Sequence, residues 1–251
     1  MDDPCGQGVE TAGRHAQVFL GLIETMSASL LGPHEAELLA RLEREHDNIR
    51  AALAHLLVHD PIQGLTMAAA LLDFWSIRGH FREGKRWIEA GLDRCPDAPK
   101  ALRMMALRAV GEFAWRKGEL APAREHLEQS MRLARELSDK LQIAWSGFHL
   151  ALVLQQQSDI AGSVVLLEES LELAREVGKA RLVGNALNSL GEAARIEGRW
   201  ARARELYEQS LEIHREVGHP SGFSVTLNNL GAALAETGDL AGACVCYRDA
   251  L

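Results

Sequence analysis

The second half of the chain repeats itself every 40 residues, and this period limits the folds that it can adopt. Each repeat carries a large apolar residue followed by a small one, at Val110-Gly111, Leu150-Ala151, Leu190-Gly191 and Leu230-Gly231. Four further columns follow within each repeat. The first holds a residue expected in a turn, and the next three hold a small, a bulky and an apolar residue. These columns are Gly118, Ser158, Gly198 and Gly238; Ala123, Ser163, Ala203 and Ala243; Leu127, Leu167, Tyr207 and Tyr247; and Met131, Leu171, Leu211 and Leu251. Such a fixed period is typical of stacked repeats, so the chain is predicted to be a solenoid.

Each repeat is predicted to be a pair of antiparallel α-helices, because apolar residues occur at helical spacing on both sides of the turn column. Gly191 and Ala203 are small where the two helices are expected to cross, and Leu190 and Tyr207 fill the space beside them. Gly198 lies between the helices, at a position that favours positive φ. A hairpin of this size cannot bury its own apolar faces, so the repeats must stack on one another.

The combination of Leu190-Gly191, Ala203 and Tyr207 resembles the signature of the tetratricopeptide repeat (TPR), although the period exceeds the usual length of about 34 residues. HEAT and armadillo repeats are nearer to this length but lack the leucine-glycine and alanine-aromatic spacing. The resemblance implies an all-α, right-handed TPR superhelix of about twelve antiparallel helices with 40-residue repeats. Hairpin turns are then expected near Gly79, Gly118, Ser158, Gly198 and Gly238.

The N-terminal third follows the repeat more loosely. Placing Gly79 over Gly118 predicts a divergent hairpin over about 63–95, and 34–59 is predicted to be one long amphipathic helix that pairs with 11–31. The expected organisation is a flexible leader at 1–10, divergent hairpins over 11–98 and four TPR-like repeats over 99–251. The last repeat is expected to be truncated, so the chain is interpreted as a fragment whose uncapped end favours self-association.

The same N-terminal third carries a second resemblance. Arg14-His15-Ala16, Phe19-Leu20 and the run from Leu42 to Leu53, which contains Glu45-His46-Asp47-Asn48, are similar to the segment that joins the ATPase core to the repeats in bacterial STAND signalling ATPases. Many of these are LuxR-type or AfsR-like transcriptional regulators. The resemblance implies a sensor or partner-binding arm, with the nucleotide-binding and DNA-binding modules outside the repeats. The alternative for the Glu45–Asn48 run is an ordinary solvated helix face.

Composition restricts the partners and the compartment. The net charge of −8 argues against direct binding of nucleic acid. The start of the chain lacks a signal-peptide pattern, and the longest apolar run, at about 65–72, is too short to span a membrane. A cytoplasmic location is therefore expected. Scattered cysteines are expected to be reduced, as is usual in the cytosol.

The search for catalytic motifs predicts no enzyme, no cofactor and no metal site. The run Gly79 to Arg86 has the glycine and lysine spacing of a phosphate-binding loop, but Arg86 replaces the required hydroxyl residue and no strand precedes it. Gly79 is interpreted instead as a turn, Gly84 as a helix-crossing residue and Lys85 as a surface lysine. The histidines show no one-face ligand pair at His34 or between His46 and His55.

The resemblance to TPR proteins implies a concave face, lined by the first helix of each hairpin, that binds a partner protein, a peptide or a small effector. The residues expected on this face are Arg108, Glu112, Trp115, Trp145, Phe148, Gln155, Asn185, Asn188, Glu192, Arg195 and Asn228. The amides of Asn188 and Asn228 are candidates for pairing with an extended peptide backbone, and exposed Trp and Arg are favoured binding anchors. In the alternative interpretation the asparagines join neighbouring helices, and Trp115 and Trp145 fill gaps in the packing.

Two classes of function follow from the sequence. The first is the sensing or protein-binding region of a signalling ATPase or transcriptional regulator, in which a bound effector biases the state of the other modules. The alternative is a free-standing TPR adaptor that holds a partner in a complex.

Overall fold

The computed structural model describes residues 4–27, 30 and 34–251, with side chains from residue 10 onward. These residues form fourteen α-helices and no strand. The helices are α1 (Pro4–Ser27), α2 (Glu35–Arg44), α3 (His46–His59), α4 (Pro61–Ala70), α5 (Leu72–Arg78), α6 (Phe81–Arg94), α7 (Lys100–Arg116), α8 (Leu120–Glu136), α9 (Lys140–Gln156), α10 (Ile160–Glu176), α11 (Ala180–Ile196), α12 (Trp200–Glu216), α13 (Pro220–Glu236) and α14 (Leu240–Asp249). The predicted all-α fold is confirmed. Among the described helices, none is long and apolar enough to cross a membrane.

The turns keep the predicted period. Residues with positive φ are found at all five predicted turn positions, from Gly79 to Gly238, and also at Ser138, Gly178 and Gly218. A left-handed residue therefore ends a helix every 20 residues from Gly118 onward, alternately within and between hairpins. At each such end the chain closes with backbone bonds typical of a helix C-terminus, such as Arg199 N to Ala194 O at 2.8 Å.

The predicted helix crossings are confirmed. A β-carbon on Gly191 would lie 2.7 Å from Cε1 of Tyr207, and one on Gly231 would lie 2.8 Å from Cε1 of Tyr247. Real β-carbons do not approach ring atoms this closely, so each glycine lets the facing ring pack directly on the backbone. Glycine and tyrosine thus occur together in the repeat signature because the tyrosine ring occupies the space that a β-carbon would need.

A serine column, which the sequence analysis overlooked, ties together the two helices in each of three consecutive hairpins. The Oγ atoms of Ser170 and Ser210 donate to the carbonyl oxygens of Ala144 and Gly184 at 2.9 and 2.8 Å, and Ser130 makes the corresponding bond at 2.9 Å. All three serines are buried. Each bond satisfies a buried hydroxyl, at a place where a polar group without a partner would cost stability.

The N-terminal part differs from the sequence prediction in three ways. Helix α1 begins at Pro4, so residues 4–10, expected to form a leader, belong to this helix. The single helix predicted over 34–59 is wrong, because the backbone departs from helical geometry at Glu45 (φ −92°, ψ 8°) and divides it into α2 and α3. The first helix of the divergent hairpin is likewise divided at Leu71.

Contacts between the helices divide the chain into two compact units. Unit 1 extends to Leu133, and unit 2 is Ala134–Leu251. Unit 1 has a core around Phe74, Trp75 and Phe113, and unit 2 has a core around Leu187 and Tyr207. The division falls within α8, whereas the proposed change from divergent to TPR-like repeats at residue 98 concerns sequence type and stays a prediction.

Candidate binding face

Eight of the predicted binding residues belong to the first helices of the hairpins in unit 2. We call this set the first-helix face. It consists of Trp145, Phe148 and Gln155 on α9, Asn185, Asn188, Glu192 and Arg195 on α11, and Asn228 on α13. Repetition every 40 residues places Phe148, Asn188 and Asn228 in one column, so side chains of very different chemistry occupy equivalent positions on consecutive helices.

The α9 end of this face is aromatic. The ring of Trp145 stacks on that of His149 with centroids 5.8 Å apart, and meets the ring of Phe148 edge to face at 6.2 Å. Phe148 is only 7% exposed, whereas Trp145 is half-buried. Trp145 can therefore offer part of its ring to a ligand, while Phe148 supports it from within the helix packing.

The asparagines differ in their environments despite the repeat. The Nδ2 of Asn229 donates to the Oδ1 of Asn188 at 3.0 Å, which links α13 to α11. A similar link joins α9 to α11, where the Nε2 of Gln155 donates to the carbonyl oxygen of Ser189 at 3.0 Å. Asn228 is exposed and Asn185 is half-buried. Asn188 thus forms the interhelical hydrogen bond considered as the alternative, and Asn185 and Asn228 are the amides most accessible to a ligand.

The charged residues of the face are joined in a network. Arg195 donates to both carboxylate oxygens of Glu192, at 2.7 and 2.9 Å, and to Glu236 on α13 at 2.7 Å. The hydroxyl of Tyr207 donates to Glu192 Oε2 at 3.0 Å. Hydrogen bonding to Arg195 lowers the pKa of Glu192, and burial together with the Glu192 charge raises that of Tyr207. This network orients the two charges that a ligand on α11 would meet.

The three predicted residues of unit 1 lie on α7. Glu112 is buried and accepts hydrogen bonds from Ser76 Oγ at 2.7 Å and from Arg116 Nε at 3.1 Å. Arg108 and Trp115 are half-buried, and the guanidinium carbon of Arg116 lies 5.6 Å from the Trp115 ring. Glu112 is therefore committed to contacts between helices of unit 1.

The run that resembles a phosphate-binding loop is helical, as expected. Gly79 ends α5 with φ +77°, and a β-carbon on Gly84 would lie 2.7 Å from Cγ of Trp75. The interpretation of Lys85 as a surface lysine is wrong, since its side chain is only 18% exposed and its Nζ lies 2.5 Å from Glu119 Oε2. Lys85 joins α6 to the turn between α7 and α8 and does not face a phosphate cradle.

A pocket of about 420 Å³ in unit 2, near the turn between α10 and α11, shares no lining residue with the first-helix face. Its lining includes Lys179, Val183, Leu187, Gln209 and Ile213. None of these residues was singled out from the sequence. This pocket is a second place at which a ligand of unit 2 could bind. Binding experiments therefore have to distinguish it from the first-helix face.

Two histidine clusters were also missed by the sequence analysis. In unit 1, His46 is buried beside Phe74, and its ring centroid lies 4.6 Å from that of His80. In unit 2, Nδ1 of His219 lies 3.2 Å from Nδ1 of His214, and both imidazoles are buried. Burial lowers the pKa of His46, of His214 to about 4 and of His219 to about 3. The first cluster joins residues far apart in sequence, so local spacing gave no signal for it.

Comparison with known families decides the assignment that the repeat pattern suggested. The tetratricopeptide repeat model matches residues 102–176, 143–216 and 182–251, which together cover more than half of the chain. The chain belongs to the tetratricopeptide repeat family. No curated protein sequence matches this TPR chain.

Solved structures show the same fold at low identity. BtubC (BKLC) from P. vanneervenii has a TM-score of 0.63 and 22% identity, with 84% of this chain and 87% of that chain covered. A Rap protein complexed with Competence and Sporulation Factor has a TM-score of 0.68 and 12% identity, covering 96% and 76%. A STAND protein with a tetratricopeptide repeat sensor, from Pyrococcus horikoshii, has a TM-score of 0.64 and 13% identity, covering 94% of this chain and 35% of that chain. At these identities the likeness shows the fold alone.

Proposed function

We propose that this TPR chain is a non-catalytic, cytoplasmic binding module whose first-helix face in unit 2 holds an extended segment of a protein or peptide. The observation that carries the proposal is the row of partly accessible polar and aromatic groups on α9, α11 and α13. Trp145, Asn185 and Asn228 provide an aromatic anchor and two amides, and an amide can pair with both the donor and the acceptor of a peptide backbone.

The fixed part of this face supports specificity. Because Glu192 and Arg195 are held by each other and by Tyr207 and Glu236, their positions are set before a ligand arrives. A surface organised in advance loses less conformational entropy on binding. The Rap protein of the same fold is complexed with Competence and Sporulation Factor, which supports a ligand-binding role for such a repeat stack.

We further propose that binding serves a sensing role within a larger signalling ATPase or transcriptional regulator. Two observations support this role over that of a free-standing adaptor. The N-terminal run around Glu45-His46-Asp47-Asn48 resembles the segment that precedes the repeats in such ATPases, and a STAND protein with a TPR sensor shares the fold. In the adaptor alternative the same face holds a partner in a complex and transmits no signal.

The binding proposal can be tested with a phage-displayed random peptide library selected on the complete 251-residue chain. Hydrogen–deuterium exchange with a selected peptide should then show added protection in α9, α11 and α13. Protection confined to the α10–α11 turn and to α12 would place the ligand in the pocket lined by Val183 and Gln209 and would contradict the proposed face.

The sensing role requires a separate test. If the gene also encodes an ATPase module, the selected peptide should change the ATPase rate of the full-length protein, and a Trp145→Ala variant should weaken this effect. A rate that is the same with and without saturating peptide would favour the adaptor, while leaving the binding face itself intact.

A further inference from the structure

Three side chains that can bind metal converge in unit 1, independently of the first-helix face. Glu43 lies near the end of α2, His46 begins α3, and His80 lies between α5 and α6. Each offers one ligand atom, and these atoms all lie within 4.8 Å of one another. Nε2 of His80 is 3.2 Å from Oε1 of Glu43. The group thus brings the bend between α2 and α3 next to the turn that precedes α6.

We propose that Glu43, His46 and His80 bind a divalent transition-metal ion, with zinc as the best match. Two imidazoles and one carboxylate form a ligand set that zinc uses when a fourth position is left for water. Bond lengths of about 2.0–2.2 Å place tetrahedral ligand atoms about 3.3–3.6 Å apart. The 3.2 Å separation between His80 and Glu43 already fits this geometry. The three ligand atoms lie within 4.8 Å of one another, so a separation at this limit would have to shorten by about 1.2–1.5 Å when the metal binds. The Glu43 side chain is 43% exposed and has room to move towards the other two ligands.

The state of His46 provides a second observation. Its side chain is buried, and its Nε2 has no hydrogen-bond partner within the described part of the chain. Oε2 of Glu83 lies 3.3 Å from this nitrogen, which is an ion-pair distance without hydrogen-bond geometry. A buried nitrogen without a hydrogen-bond partner lowers the stability of the folded chain. Metal binding at Nδ1 would fix the ring proton on Nε2, from which the Glu83 carboxylate accepts a hydrogen bond and orients the ring, as is common for a metal-bound histidine.

The neighbouring cations leave room for a metal ion. Arg50 donates to both carboxylate oxygens of Glu83 at 2.7 Å, so this carboxylate compensates its charge. Arg78 Nε lies 3.7 Å from Glu43 Oε2, which is too long for a strong hydrogen bond. A divalent ion can replace this contact because it brings a greater charge to the same carboxylate.

The site can be tested on the complete chain with zinc chloride, in competition with a chromophoric chelator. The decisive variant is Glu43→Gln/His80→Gln, which leaves the buried His46 in place and changes only partly exposed side chains. A matched control is His55→Gln/His59→Gln, because these histidines lie four residues apart on α3 with ring centroids at 4.3 Å and form the competing pair in the same unit.

We expect wild type and the control to bind one equivalent of zinc and to gain thermal stability from it. Loss of one group outside the metal's own ligands already lowers affinity by about 10–100-fold, so removal of two ligands should lower it by at least about 100-fold. Equal zinc affinity in wild type and the Glu43→Gln/His80→Gln variant would overturn the assignment. So would loss of binding in the His55→Gln/His59→Gln control alone, or wild type that binds no zinc at micromolar concentration.

Discussion

Gly184 and His214 face each other so closely that a β-carbon on Gly184 would lie 2.5 Å from Cε1 of the imidazole. In the preceding hairpin the equivalent positions, 40 residues earlier, hold Ala144 and Ala174, which are both fully buried. The two hairpins therefore fill the same crossing differently, with two alanines in one and with glycine and histidine in the other. The histidine on α12 fits only because the facing residue on α11 is a glycine, which has no β-carbon.

This relationship predicts strong coupling between the two positions. Gly184→Ala should destabilise the chain by about 1–3 kcal/mol, because the added methyl group overpacks the crossing against His214. His214→Ala alone leaves a cavity. The double variant recreates the alanine pair of the preceding hairpin, so we expect it to be more stable than the sum of the single changes predicts. Urea unfolding of all four proteins measures the coupling, and strictly additive effects would argue against the contact.

Acid should destabilise unit 2 through the same histidine. Burial lowers the pKa of His214 to about 4 and that of His219 to about 3, from an ordinary value of 6.5, and Arg181 contributes to both shifts. The unfolded chain therefore binds more protons than the folded chain below about pH 6.5, and stability falls from there towards pH 4. Each neutral histidine contributes a slope of up to about 1.4 kcal/mol per pH unit.

The contribution of His214 can be isolated by measuring unfolding free energy from pH 7.5 to 4.5. The Gly184→Ala/His214→Ala variant should lose less stability over this range than wild type does. As a control, His34→Ala removes an exposed histidine that pairs with Glu37 on α2, and this change should leave the wild-type slope intact. Identical slopes in all three proteins would show that the buried histidines do not carry the acid sensitivity.

The hydroxyl of Tyr207 should stabilise the charged network on α11. Tyr207→Phe keeps the ring that packs on Gly191 but removes the bond to Glu192, at a cost of about 1–3 kcal/mol because the acceptor is charged. Tyr247→Phe is a matched control, since Tyr247 packs on Gly231 in the same way but is 41% exposed. Thermal denaturation should show a clear loss for the first variant and little change for the second.

Helix α14 presents exposed apolar side chains that favour self-association. Leu240, Val245 and Tyr247 are 67%, 45% and 41% exposed. We expect light scattering to show that the average mass rises with concentration and that Leu240→Glu/Val245→Glu suppresses this rise. A variant with the same changes at Val165 and Ile196, which are also exposed, controls for general solubility. A wild-type chain that remains monomeric at high concentration would contradict the expectation.

The repeat columns predicted the fold well because each depends on local geometry. Gly198 indicates a turn and Gly191 indicates a helix crossing, and neither prediction depends on how the more distant helices pack. The break at Glu45 could not be predicted, since residues 34–59 contain no glycine or proline that would indicate the end of a helix. That break helps to determine where His46 lies relative to His80, so their cluster was also missed.

The environments of the residues on the proposed face were predicted only in part. The repeat placed these residues on the first helices of their hairpins, but it could not show which amide was already paired. Asn188 and Asn228 are equivalent in sequence, yet the bond from Asn229 occupies only Asn188. Such pairing depends on the side-chain rotamers of two adjacent repeats, and a period of 40 residues carries no information about them.

The central claim, that unit 2 binds an extended peptide on its first-helix face, is tested most directly by the affinity of a library-selected peptide. Isothermal titration calorimetry should compare wild type with Asn185→Ala/Asn228→Ala, and with a Glu168→Ala/Glu208→Ala control on the exposed faces of α10 and α12. We predict that loss of the two accessible amides weakens binding by about 1–3 kcal/mol without a change in thermal stability, and that the control binds like wild type. Unchanged affinity in the asparagine variant, together with loss in the control or in Gln209→Ala, would contradict the account.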